Sequence, residues 1–391
     1  MVIMEAMNMK ILEKHEDYMD WEKLAQHCET LDGLSEFEKD RSKRAFLLLM
    51  KEFGDDFLKS AFIDHHPIVH YIVNLAPWTR KWITWFAEAI KELKDQVNYP
   101  NLLSRLKDKD KFGEGLSVLK IAYKLSKAGF RIFIDPSVNA SGRPKIPDLK
   151  VCNENNGEEL FVEVSIQGES IIQKEAWQTM QKIHDPLWRS VPFMHYCGRI
   201  HKTLADRHLD DIARKVEKII ERVRKENAFH ELVIEGIIEM GIAPGDDKEI
   251  LQKWAIERGL KVGELSGPPF DVNEILRTKR KIEDEQKQLP NDNPNIVVIM
   301  NNNLFFHAKD IRQIISELEE EVYKYPHLLS VVISGMGGGD DTIIMKDQHV
   351  FIRKTRADLL VEQYIILFNQ FCDIKISPAT ITKMYNAFRS Y

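Results

Sequence analysis

The hydrophobic period of this chain changes abruptly at Gly129, and that change limits what it can fold into. Upstream, Phe112 to Ala128 carries Val118, Ile121 and Leu125 at three- to four-residue spacing, which predicts a helix. Gly129 suits the left-handed residue that ends it. Downstream come three strand-like runs: Phe130 to Ile134, Ile146 to Cys152 and Leu160 to Ile166. Asn155-Asn156-Gly157, between the last two, is a tight-turn signal. A helix leading into an antiparallel meander places the chain in the α/β class.

Three acids in this segment stand where apolar or neutral residues would be expected. Helical spacing back from Val118 reaches Glu114, which is therefore read as opening a buried stripe, where a carboxylate is costly unless paired. In IPDLKVC, Leu149 and Val151 share one strand face, leaving Asp148, Lys150 and Cys152 on the other. In LFVEVSI, Glu163 lies with Phe161 and Ser165 opposite a fully apolar face. The turn allows two registers. One sets Asp148 across from Glu163, with Cβ atoms about 5 Å apart; the other sets Asp148 across from Ser165 and Lys150 across from Glu163. Either crowds two carboxylates on one patch. They raise each other's pKa unless a cation lies between them. An oxygen-only ligand set suits Mg²⁺ or Mn²⁺.

The order FGEGLSVLKIAYKL, IPDLKV, ELFVEVS resembles the PD-(D/E)XK, or restriction-endonuclease-like, nuclease superfamily over about 55 residues. It extends more loosely to IEDEQKQLPNDNPNIVVI, which fits the family's next αβ element. The resemblance implies a mixed sheet flanked by helices and Mg²⁺-dependent (or Mn²⁺-dependent) endonuclease hydrolysis of DNA, with RNA the lesser alternative. It implies Glu114, Asp148 and Glu163 as metal ligands, assisted by the Val164 carbonyl. The motif's lysine is missing: Ser165 stands in its place. Lys150, on the strand face of Asp148, is the leading replacement, with Lys281 and Gln288 behind it. The loss of that lysine sustains a rival reading, a catalytically inactive nucleic-acid-binding or assembly protein on a degenerate nuclease fold.

The rest of the 391 residues supplies the surroundings. Residues 1 to 105 read as an all-α domain, with Trp78, Trp82 and Trp85 as a core stripe and His65, His66 and His70 as structural residues. Residues 106 to 391 read as the nuclease-like domain, with a large α/β insertion at 169–271: a charged helix (Leu204 to Asn227), a strand (Glu231 to Ile242) and a short helix (Asp247 to Arg258). A basic helix follows from Val272 to Leu289, then strands at Asn295 to Met300, Leu328 to Ile333, Thr342 to Lys346 and Val350 to Arg353, with a helix at Asp310 to Tyr323. The loop from Gly335 to Asp341 lacks the Lys-Ser/Thr ending of a phosphate loop and is read as a flexible connection.

A net charge of −6 leaves room for a local basic track, and Arg277, Lys279, Arg280 and Lys281 are the candidate phosphate contacts. The basic residues of Leu204 to Asn227 alternate with acids, as on a solvated helix face. The insertion and helical domain are expected to choose the substrate or to bind a protein partner or second copy. Four scattered cysteines make no zinc knuckle or disulfide framework. With no run near the ~20 apolar residues of a membrane helix and no secretory leader, the expectation is a cytoplasmic protein that does not enter a membrane.

Overall fold

The computed structural model describes residues 12, 14–140, 143–190, 193–270, 272–307, 311–337, 341–346, 349–355 and 361–389. The fold is mixed α/β and divides into two compact units, Met1–Gly168 with Glu274–Tyr391, and Glu169–Asn273. Among the described residues, no helix is long and apolar enough to cross a membrane.

In the larger unit, helices α1 (Tyr99–Lys107) and α2 (Phe112–Lys127) lead into strands β1 (Phe130–Ile134), β2 (Leu149–Asn153) and β3 (Glu158–Ile166). Gly129 ends α2 at φ 88°, in the left-handed region that glycine adopts without strain. After the second unit the chain returns as α3 (Glu274–Glu285) and β4 (Asn295–Met300), followed by α4 (Ile311–Val322) and β5 (Leu328–Gly337). Strands β6 (Thr342–Lys346), β7 (His349–Thr355) and β8 (Val361–Phe368), then helix α5 (Pro378–Arg389), complete it.

The eight strands lie in the order β1-β2-β3-β4-β5-β8-β7-β6. Pairing is antiparallel from β1 to β3, parallel from β3 through β5, and antiparallel beyond. Strand β8, which sits between β5 and β7, and helix α5 were not read from the sequence. Gly338 to Asp340 of the glycine-rich loop lie outside the described residues.

Each sheet face has its own core. One packs Val151, Val162, Ile296 and Tyr364 against α2, α5 and the N-terminal helices; the other packs Phe161, Val297 and Ile333 against α3 and α4. The helices before residue 105 thus share one continuous hydrophobic core with the sheet and do not form a separate compact domain, as the reading of 1–105 had it. His66 belongs to this core, edge-on to Phe57 and Phe112, with Nδ1 accepting the Ile68 N–H. Trp82 is buried and stacked between Tyr71 and Phe86, whereas Trp78 stands at the rim.

Arg80 is also here, 1 % exposed. Its guanidinium donates to the carbonyls of Tyr71 and Ile72, near the end of helix Ile68–Val73, and lies 5.3 Å from the Phe46 ring centroid. Truncation removes the donors and opens a cavity together. Arg80→Ala is therefore expected to cost about 3–5 kcal/mol. Urea titration checks this; a loss below about 1 kcal/mol would mean that water replaces the guanidinium.

The second unit has a four-stranded sheet, ordered His230–Ile234, Ile238–Pro244, Met194–Ile200, Leu265–Ser266. Helices Ile171–Trp188 and Asp206–Glu226 build one core on it, and Lys248–Glu257 another. The single strand expected over Glu231 to Ile242 is a hairpin, because Gly236, at φ 64°, turns the chain in its middle. The outer face of Asp206–Glu226 is charged in both signs, with Arg214 2.6 Å from Asp211.

Where the larger unit gives way to the second, its own residues close the neck. Gln167 Nε2 donates to Glu274 Oε2 (2.9 Å), and Arg277 donates to the Gly168 carbonyl (2.7 Å) and to Glu274 (2.6 Å).

Candidate active site

The hairpin register decides the central question. Leu149 pairs with Val162 and Lys150 with Phe161, so Asp148, just before β2, comes opposite Glu163. Two bonds lock the corner. The Val164 N–H donates to Asp148 Oδ2 (2.9 Å), and the Asp148 N–H points to Glu163 Oε2 (3.4 Å). Phe161 and Gln167 donate their N–H groups to the β4 side, so by alternation the peptide groups of Val164 face the Asp148 side. By the same alternation the Val164 carbonyl is on the β2 side of β3.

Glu163 is only 7 % exposed. Burial first, then the charges of Asp148 and Glu285, push its pKa up to about 9. Burial pushes Asp148 upward as well, against the pull of Arg105 and the Val164 N–H. Without a cation, burial and the two neighbouring carboxylates favour the protonated form of Glu163.

Residues not assigned from the sequence complete the surroundings. Arg105 of α1 donates to Asp148 Oδ1 and to Asp135 Oδ1, both at 2.8 Å. Glu285, buried on α3, accepts the Ser165 hydroxyl at 2.8 Å and lies 2.7 Å from Lys281 Nζ and 3.3 Å from Gln288 Nε2. Lys281 and Gln288 therefore meet Ser165, the position that has lost its lysine, around one carboxylate.

Glu114 is a correction. It is exposed in the first turn of α2, and the buried position there is its neighbour Gly115. A Cβ on Gly115 would come within 3.2 Å of the Arg105 backbone, so the missing side chain is what lets α2 lie against α1. Lys150 is engaged elsewhere: its ammonium lies 3.0 Å from Glu159 and 4.4 Å from the Phe133 ring centroid. The basic segment divides by helical face. Arg277 and Lys281 turn to Glu274 and Glu285, whereas Lys279 is half-buried and Arg280 exposed.

No family model, no curated protein and no solved structure matches this chain.

Among the described residues, no group of three or more His, Cys, Asp and Glu is disposed to hold a metal ion. The donor set nevertheless fits a hard cation. A buried carboxylate, Glu163, and a half-buried one, Asp148, share one corner, the Val164 peptide lies beside it, and burial and its acidic neighbours disfavour the charge on Glu163. Asp148, Glu163 and the Val164 carbonyl are the groups that would hold Mg²⁺ or Mn²⁺.

The proton on Glu163 gives a stability signature. Folding takes up that proton between the ordinary carboxylate value of 4.5 and about 9. The cation-free fold therefore loses stability as pH rises through this window. Melting temperature is expected to fall steadily from pH 5 to pH 9, and Glu163→Gln to flatten the slope. A wild-type slope that the substitution leaves unchanged would assign the proton elsewhere.

Proposed function

We propose that this chain is a metal-dependent nuclease of the PD-(D/E)XK type that hydrolyses phosphodiester bonds in DNA, with RNA the lesser alternative. The observation that carries the reading is the corner of buried Glu163 and half-buried Asp148 at the end of an antiparallel hairpin, beside the Val164 peptide. Support comes from the order of elements: helix α2, three antiparallel strands, helix α3, then β4 parallel to β3. That is the element order the resemblance implies. Support also comes from Lys281, an amine within reach of the position where Ser165 replaces the motif lysine.

Asp148 and Glu163, with the Val164 carbonyl, would hold the cation, which would supply a lowered pKa to a bound water and offset charge on phosphate. The chain's own residues do the positioning. Glu285 holds Lys281 and Ser165 together at one carboxylate oxygen, fixing the ammonium next to the acidic corner. From there it would donate to the attacking water or to a phosphate oxygen. Arg280, exposed on α3, is the outward contact for a phosphate backbone.

The test is incubation of plasmid, single-stranded DNA and RNA with Mg²⁺ or Mn²⁺, beside Asp148→Ala. Cleavage by wild type and none by the variant supports the reading. The rival, a non-catalytic nucleic-acid-binding or assembly protein, is favoured by Ser165 and by the engagement of Asp148 with Arg105. Binding without cleavage under every cation would establish that rival.

A further inference from the structure

Arg105 does something that holding a cation does not require. Its guanidinium bridges Asp148 and Asp135 at 2.8 Å to each, its side chain is 18 % exposed, and its Nε is buried without an acceptor. Several backbone features converge on this placement. Gly115 admits the backbone of α1 against α2. Asp135 takes a left-handed conformation at φ 45° and donates its N–H to the Asp148 carbonyl at 2.9 Å. Asn98, left-handed at φ 62°, ties the preceding strand by donating to the Ile134 carbonyl at 2.9 Å. Left-handed residues other than glycine are uncommon, and one of them, Asp135, meets this guanidinium directly.

The guanidinium approaches Asp148 at Oδ1, while Oδ2 is committed to the Val164 N–H. A cation shared by Asp148 and Glu163 must therefore draw on an acid that already carries a positive partner. Two positive charges on one carboxylate repel, and the one held by the surrounding fold has the advantage until the other is abundant.

We infer that Arg105 is a built-in counter-ion that keeps the carboxylate corner occupied and makes a divalent cation compete for Asp148, so that the site is latent when cation is scarce. This rests on the reading of Asp148 and Glu163 as the cation's ligands. The opposite role, Arg105 as a positioning residue that presents Asp148 to the cation, predicts the opposite sign.

The experiment is Mn²⁺ binding by calorimetry to the full chain, in wild type, Arg105→Met and Arg105→Gln, with melting temperatures in the absence of cation. Glutamine keeps a hydrogen-bond donor and removes the charge, which guards against a variant that merely unfolds. Both variants are expected to bind Mn²⁺ about tenfold or more tightly, the scale on which one adjacent charge acts. Both should melt lower than wild type without Mn²⁺ and gain more from it. Unchanged or weaker binding in a folded variant overturns the inference while leaving the ligand assignment standing. Absence of Mn²⁺ binding in all three proteins overturns both.

Discussion

Asp148→Asn is expected to abolish divalent-cation uptake and to lower cleavage of nucleic acid by about a thousandfold, yet to leave a chain that melts cooperatively. The loss is large because Asp148 is one of two acids at the corner, and removing a charge that organises the reacting centre acts on the transition state directly. The fold survives because Asn keeps the volume and one acceptor, and because the core residues of the hairpin, Leu149, Val151 and Val162, lie on the other sheet face. The same change removes the charge that helps to push Glu163 up to about 9. Melting of the variant is therefore expected to depend less on pH between 5 and 9. Retention of a tenth or more of wild-type cleavage would take Asp148 out of the mechanism.

The second large effect separates two lysines. Lys281→Ala is expected to reduce turnover by about a hundredfold with little change in substrate affinity, as loss of a single electrostatic stabiliser does. Lys150→Ala should lie within about threefold of wild type, since its ammonium is committed to Glu159 and Phe133 and a surface pair of this kind contributes little. Ser165→Lys provides the control. Its amine would meet the Glu285 carboxylate that Ser165 now contacts at 2.8 Å, so adding it to Lys281→Ala should restore much of the activity. If Lys150→Ala is the damaging change instead, the amine reaches the corner by a movement of β2. If neither matters, cleavage proceeds without a lysine.

The legible part of this molecule was the part governed by local rules. The stop at Gly129, the alternation of Leu149 and Val151 and the turn before Gly157 predicted the hairpin and left two registers open, of which the one observed sets Asp148 opposite Glu163. Glu114 was misplaced for a definable reason. Glycine carries no hydropathy signal, so the buried position at Gly115 was invisible and the stripe was continued through its neighbour. The same reasoning, applied to α3, would have found the missing acid. Thr278, Ile282 and Glu285 are buried at helical spacing, with a carboxylate where Leu would be ordinary. Arg105 had no such signal, because a long side chain's destination depends on which helix lies beside it. Strand β8, VEQYIILF, was missed because its polar start at Glu362 and Gln363 is followed by an apolar run from Tyr364 to Phe368 without alternation, as in a strand covered on both faces.

The neck bonds between Gln167, Gly168, Glu274 and Arg277 mean that the chain leaves the larger unit and re-enters it at nearly the same point. Thermodynamically, everything from Glu169 to Asn273 is then a surface loop whose ends are already joined, and the cost of closing a loop rises only slowly with its length. Such a junction is permissive: shorter, longer or unrelated segments can be spliced there without changing the register of β3 or the start of α3. Close to that junction on either side lie Ser165, two residues from Glu163, and Lys281, which meet at the Glu285 carboxylate. Replacing Glu169–Asn273 as a block is therefore expected to leave the hairpin of β2 and β3 and the neck bonds in place.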